Sequence, residues 1–292
     1  MSVPMAYVAV ILIWSTTPLA VYWSSVEAGF IFGATSRMLI GAVLATMAAA
    51  LLGSGLKWHR RAVLAYLLGG FGFFAGMMTV YWAAQYVPTG WISLIYGLMP
   101  IITAVMAHIW LEGEVLSAHR VIGMLIGIAG LAVIFGSGFM LSVETVLGIA
   151  GVLISASIHA GVSVAIKRLD LDLPAISMTS GGLLFAAPFY LLALYLSPAP
   201  LPTHLEPKTL AAIGYLSLFG SVFGFALYYY VLKNVEATRT ALITLISPVL
   251  ALTLGNIFNG EVITPMIVAG ALLILSGLAL FEVGGKIKLQ RS

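Results

Sequence analysis

Apolar residues run along this chain in blocks of about twenty, and its polar residues gather in the short gaps between them. A helix rises about 1.5 Å per residue, so a block of that length crosses the roughly 30 Å hydrocarbon core of a bilayer. Ten helices are predicted, at residues 4–23, 31–53, 62–84, 90–111, 119–137, 146–166, 175–196, 209–232, 239–258 and 264–283. Leu, Ile, Ala and Gly dominate these blocks, without the strict alternation of a barrel strand, so they read as helices packed on helices and on lipid. The longest gap, from Ser197 to Lys208, holds four prolines and leaves no room for a soluble domain. The opening "MSVPMAYVAV" lacks the basic start of a secretory signal, so the first block is expected to stay as a helix.

Composition agrees with a membrane chain: 61% of residues are hydrophobic and 8% charged, too few to cover a water-exposed surface. The placement of charge adds a topology. With the N-terminus inside the cell, all of the 13 Lys and Arg except Arg37 and Lys208 fall on the cytoplasmic side. Both termini are therefore expected in the cytoplasm of a multi-pass inner-membrane protein. The same bias accounts for the basic clusters without a nucleic-acid partner. With no cysteine, the chain has no disulfide, thiol nucleophile or thiolate metal site.

Two segments share a pattern: "LIYGLMPIITAVMAHIWLEGE" ends at Glu114 and "LITLISPVLALTLGNIFNGE" at Glu261, each with a central proline and a closing Gly-Glu. Sliding the chain against itself so that Pro100 meets Pro248 also superposes Gly72 on Gly220, Gly76 on Gly224, Tyr81 on Tyr229 and Leu94-Ile95 on Leu242-Ile243. Shortening the shift by one residue aligns the Gly-Glu pairs, then Gly123 with Gly270 and Gly130 with Gly277. The chain therefore divides into five-helix repeats over residues 1–140 and 141–292. Five is odd, so the second repeat enters the membrane from the opposite side. Inverted repeats of this kind give transporters two related states around a site near the midplane.

These doubled motifs, with Trp14 in the first helix and Arg37 in "TSRMLI" of the second, resemble the drug/metabolite transporter superfamily, in particular its EamA-type ten-helix members. The resemblance covers essentially the whole chain, and among the members the sequence looks most similar to bacterial aromatic amino-acid exporters. It implies an alternating-access inner-membrane carrier, with the fifth and tenth helices at the periphery and the others around a central cavity. Export as the direction of transport comes from the resemblance alone.

The residues can also be read without it. Proline inside a helix leaves the carbonyl four residues earlier without its donor, and hydrocarbon tolerates such a carbonyl only where protein or water satisfies it. Pro18, Pro100 and Pro248 in this way free the carbonyls of Trp14, Tyr96 and Thr244, three residues with hydrogen-bonding side chains. Ser93, Tyr96 and Thr103 share a face of the fourth helix, and Thr240, Thr244 and Ser247 a face of the ninth. A substrate site is expected there, with Trp14, Met78, His159 and Tyr228 as further lining. Pro18, Pro100 and Pro248 are candidate hinges and Tyr81 and Tyr229 candidate gates at opposite mouths. Each has a plainer reading: prolines bend helices for packing, Ser and Thr bond their own backbone, and aromatics fill cores or interfacial belts.

Arg37 is the one Lys or Arg clearly inside a span. It reads equally as a partner for a substrate carboxylate, a side chain snorkelling to the interface, or a donor to backbone carbonyls. His159 stands near the repeat position of Trp14 and is as readily a structural group as a substrate contact.

No Asp or Glu lies at the centre of a span, which argues against a pump for quaternary ammonium ions, and one arginine is too few for phosphorylated sugars. A neutral or zwitterionic amphipathic substrate, an aromatic or other apolar amino acid, fits best. An exporter of other neutral metabolites or drugs, or a channel-like facilitator, stays open as an alternative. Neither a nucleophile–base pair nor a metal-ligand set stands at depth, so no enzyme, cofactor or metal is expected. The expected partners are the small-molecule substrate and the bilayer, with the chain monomeric.

Overall fold

The computed structural model describes residues 2–111, 116–135, 142–169, 171, 173–224, 226–227, 230–231 and 237–289, and for residues 135, 237–242, 244–245 and 282–289 the backbone alone. Each predicted block holds helix. The elements are α1 (Val3–Trp23), α2 (Phe30–Leu51), α3 (Arg60–Ala83), α4 (Thr89–Trp110), α5 (Ala118–Phe135), α6 (Val143–Arg168) and α7 (Ala175–Leu196). They continue with α8 (Pro207–Tyr215, then Leu216–Phe223), α9 (Ala237–Asn259) and α10 (Pro265–Leu289). Among the described residues all regular structure is helical.

Large apolar side chains lie on both the inside and the outside of the bundle. Leu94, Leu183, Ile243 and Ile274 are buried, while Leu12, Val43, Phe189 and Leu272 are exposed. An apolar exterior of this kind is a surface made for lipid.

The pairing of helices carries the internal two-fold of the sequence. α1 packs on α9 and α6 on the second half of α4; α2 packs on α8 and α7 on α3; α2 with α7 and α5 with α10 pair directly. Exchanging the two repeats turns the first four contacts into one another in pairs and leaves α2–α7 and α5–α10 as their own images. The α5–α10 pair sits at the edge of the bundle and shows the symmetry at atomic level. A Cβ on Gly123 would lie 2.5 Å from the carbonyl oxygen of Gly277, and one on Gly130 would lie 2.6 Å from that of Gly270. Gly270 and Gly277 are the repeat-mates of Gly123 and Gly130, so the two contacts are images of each other. Bare glycines let the two backbones touch, as small residues do between membrane helices.

Three departures from the α-helix stand out. In α3 residues Gly72–Gly76, and in α8 residues Leu216–Phe223, wind as π-helix. Gly72 and Gly76 are the repeat-mates of Gly220 and Gly224, so both third helices of the repeats widen at the same place. α4 breaks at Gly97–Leu98 into Thr89–Tyr96 and Met99–Trp110. The proline expected to kink α4 instead opens its second segment, a position where no N–H is needed. α1 and α9 run on through Pro18 and Pro248. Matched prolines thus give unmatched helices: α4 is broken and α9 is continuous.

Valine in place of Gly123 or Gly277 is expected to cost about 1–3 kcal/mol by overpacking the α5–α10 contact. The thermal midpoint of the detergent-purified protein should fall for both, and stay put for Gly214→Val, since a Cβ at Gly214 meets nothing within 4 Å.

Candidate functional site

The π turn of α3 supplies the centre of the site. A π-helix fits one extra residue into a turn and disturbs the regular ladder, which opens backbone carbonyls to other donors. Two side chains from the second repeat use them. The Tyr190 hydroxyl of α7 donates to the Phe73 carbonyl at 2.6 Å, and the Ser155 hydroxyl of α6 donates to the Gly76 carbonyl at 2.6 Å. Ser155 is also 2.6 Å from the Tyr96 hydroxyl, at the end of the first segment of α4. Since the Ser155 proton goes to the carbonyl, Tyr96 is the donor in that pair. The chain Tyr96, Ser155, Gly76 therefore ties α4, α6 and α3 together beside the break in α4.

His159, one turn beyond Ser155, faces the same place. Its ring centroid lies 6.3 Å from that of Tyr96, and its Nε2 is buried without a hydrogen-bond partner. A Cβ on Gly76 would come within 2.6 Å of that Nε2, so only glycine leaves room for the imidazole. In the other repeat, a Cβ on Gly224 would lie 3.7 Å from the indole nitrogen of Trp14. Trp14 and His159 thus stand beside repeat-mated glycines, an indole on one side and an imidazole on the other.

Arg37 is buried on α2, where its Nε donates to Ser221 at 3.2 Å and its guanidinium lies 6.0 Å from the centroid of the Tyr81 ring. It therefore does not snorkel. Tyr81 is fully buried, and its hydroxyl has no partner.

The remaining predicted residues fall as follows. Ser93 is buried on the first segment of α4, and Met78 packs against the main core cluster. Thr103 bonds its own helix, to the Met99 carbonyl at 2.8 Å. Ser247 is buried with an unpartnered hydroxyl, next to Pro248. Pro248 itself approaches the break in α4, where a Cβ on Gly97 would be 3.7 Å from its ring. Tyr228 and Tyr229 lie outside the described residues, as do the side chains of Thr240 and Thr244.

Sequence reasoning missed Ser155, Tyr190, Ser221 and Glu261. Ser155 is one turn from His159, a spacing that places both on one helix face, and Ser221 adjoins Gly220. Glu261 closes the repeated motif, and its role is clear only in three dimensions. Gly260 has φ +65°, which ends α9 and turns the chain back. The Glu261 carboxylate then accepts from the first backbone N–H groups of α4, Thr89 at 2.8 Å and Gly90 at 3.1 Å, and from the Asn259 amide at 3.1 Å. An acidic group at a helix start satisfies donors that the helix cannot. Here it locks the end of α9 to the start of α4, and Gly90 lets Leu252 of α9 pack onto the α4 backbone. A cavity of about 370 Å³ opens beside the lock, lined by Tyr22, Tyr86, Trp91, Thr145 and Glu261 among others.

A family model described as the EamA-like transporter family matches the chain twice, at residues 2–136 and 146–282. A Bacillus subtilis protein named uncharacterized transporter YoaV is 26% identical over 288 residues, covering 94% of this chain and 95% of its own. A Streptantibioticus cattleyicolor protein named a probable terminal-alkyne amino-acid exporter is 27% identical over 286 residues, 92% of this chain and 93% of its own. One crystal structure aligns over 98% of both chains with a TM-score of 0.68 at 23% sequence identity, a likeness of fold.

Removing the carboxylate in Glu261→Ala leaves the start of α4 uncapped, at an expected cost of about 0.5–2 kcal/mol. The thermal midpoint should fall, and amide hydrogen exchange at Thr89 and Gly90 should quicken while that of α7 stays unchanged.

Proposed function

The chain belongs to the EamA-like transporter family, and we propose that it is an alternating-access carrier exporting amino acids, aromatic or other apolar neutral ones, and similar small amphipathic metabolites. The observation that carries this reading is the convergence of Tyr96, Ser155 and His159 on the widened turn of α3, beside the break in α4. Aromatic faces and unpartnered polar groups in the middle of an apolar bundle suit a small ligand with an apolar body and polar ends. The name carried by the Streptantibioticus relative supports an amino-acid cargo.

In this reading residues 1–140 and 141–292 are the two inverted repeats, both termini are cytoplasmic, and the protein sits as a monomer in the inner membrane. Trp14, Met78, Ser93, Tyr96, Thr103, His159, Tyr228, Thr240, Thr244 and Ser247 line the substrate path. Pro18, Pro100 and Pro248 are hinge positions, and Tyr81 and Tyr229 guard opposite mouths. α4 and α9 act as a crossed pair that closes one end of the bundle while the other opens. The Glu261 lock holds the end that this topology places outside. Releasing it lets substrate leave beside the cavity lined by Tyr22, Tyr86 and Trp91.

The test is counterflow of radiolabelled phenylalanine, tryptophan and threonine in proteoliposomes, for the natural chain and for Tyr96→Ala, His159→Ala and Thr244→Ala. Saturable counterflow of the aromatic amino acids is expected. Loss of an aromatic contact of about 1.4 kcal/mol should weaken it roughly tenfold in Tyr96→Ala and His159→Ala. Flux that rises linearly with concentration would favour a channel-like facilitator. Exchange of other neutral metabolites without any amino acid would keep the carrier and change its cargo.

A further inference from the structure

Arg37 is 3% exposed, and a guanidinium stays charged at any physiological pH. A buried positive charge is costly, by several kcal/mol in proteins after relaxation, unless an anion or a full set of acceptors surrounds it. What surrounds this one is neutral. Its Nε donates to the Ser221 hydroxyl, and its face lies toward the Tyr81 ring. Among the described residues no carboxylate pairs with it, and none of the 10 acidic residues stands at the centre of a predicted span. One terminal nitrogen, Nη1, is buried with no partner.

Two further features mark a prepared place and not a chance orphan. The Tyr81 hydroxyl, on the ring that the guanidinium approaches, is also buried and unpartnered. α8 is shaped to admit the arginine, since a Cβ on Gly220 would stand 3.0 Å from its Nη2, and a Cβ on Gly41 of α2 would stand 3.2 Å from Ser221. The glycines at these positions bring α2 and α8 together around the charge.

We propose that Arg37 Nη1 and the Tyr81 hydroxyl form a carboxylate-binding subsite, so that the cargo must carry a carboxylate group. Two unused donors beside one fixed positive charge match the two oxygens of a carboxylate, which accepts charge-assisted hydrogen bonds from arginine. The substrate then supplies the anion that the bundle lacks. An amine without a carboxylate has nothing to offer the guanidinium. All these donors are covered in the present conformation, so the cargo reaches them when the helices part. The subsite deepens the amino-acid carrier reading above and specifies which end of the molecule the second and third helices hold.

The experiment measures stabilisation of the full-length, detergent-purified protein by phenylalanine, by 3-phenylpropionate, which keeps only the carboxylate, and by phenethylamine, which keeps only the ammonium group. Phenylalanine and 3-phenylpropionate are expected to raise the thermal midpoint, and phenethylamine to leave it unchanged. Arg37→Gln should abolish both effects, Arg37→Lys should keep part of them, and Tyr81→Phe should weaken the apparent affinity roughly tenfold, as loss of a hydrogen bond to a charged group does. If Arg37→Gln fails to fold, Tyr81→Phe decides, since its hydroxyl holds nothing in the empty protein.

Phenethylamine binding as well as phenylalanine would overturn the subsite. So would 3-phenylpropionate or phenylalanine binding unchanged in the Arg37 and Tyr81 variants, or no stabilisation by either carboxylate. The amino-acid reading is judged separately. Arg37-dependent binding of 3-phenylpropionate without any amino-acid counterflow would keep the subsite and remove that cargo. Amino-acid counterflow that survives both substitutions would do the reverse.

Discussion

Inside hydrocarbon every backbone donor and acceptor must find its partner within the protein, and this one constraint governs where the bundle departs from regular helix. Most of the chain meets it with α-helical ladders. Where the ladder is disturbed, side chains from the other repeat arrive: Tyr190 at the Phe73 carbonyl and Ser155 at the Gly76 carbonyl, both in the π turn of α3. The irregular backbone and the polar cluster are therefore one feature. Widening α3 exposes acceptors, the acceptors draw in hydroxyls, and the hydroxyls fix Tyr96 and hold α6 so that His159 faces the same turn.

The two repeats answer the constraint differently, and that difference bears on function. Both third helices widen at mated glycines, yet α4 breaks at Gly97–Leu98 while α9 continues through Pro248. α9 packs along the first segment of α4, where Gly90 admits Leu252 and Glu261 caps the helix start; the second segment of α4 packs on α6. The repeat-mate of Gly90 is Thr238, so the sequence itself is biased toward tight packing at one end of this pair. In the alternating-access carrier proposed above, the two end states are related by exchange of the repeats, and one broken helix beside one continuous helix is the asymmetry that such an end state requires.

Much of this was legible in the sequence. Block lengths place all ten helices, and the register of Gly72, Gly76, Gly123 and Gly130 with their mates gives the repeat, while the α5–α10 contact through these glycines is seen only in the structure. What stayed hidden was the rotation of each helix about its axis. Protein interior and lipid are both apolar, so a membrane helix buries one face and exposes another with little change of residue type, and no stripe shows which is which. Nothing in "TSRMLI" therefore tells that Arg37 turns toward Ser221 of α8, and nothing in "NGE" tells that Glu261 reaches the start of α4. The π turns were equally silent, since their glycines served in the sequence only to register the repeat.

The proposed alternating access requires α4 and α9 to exchange between two arrangements. Because the chain has no cysteine, spin labels can be placed at two chosen positions without removing native residues. Gln85 and Phe258 are exposed at the end held by Glu261, one beside the start of α4 and the other near the end of α9. Pulsed electron resonance in liposomes should show two distance populations between them, with the longer one enriched by Glu261→Gln. A single distance, unmoved by that substitution, would contradict alternating access by this helix pair.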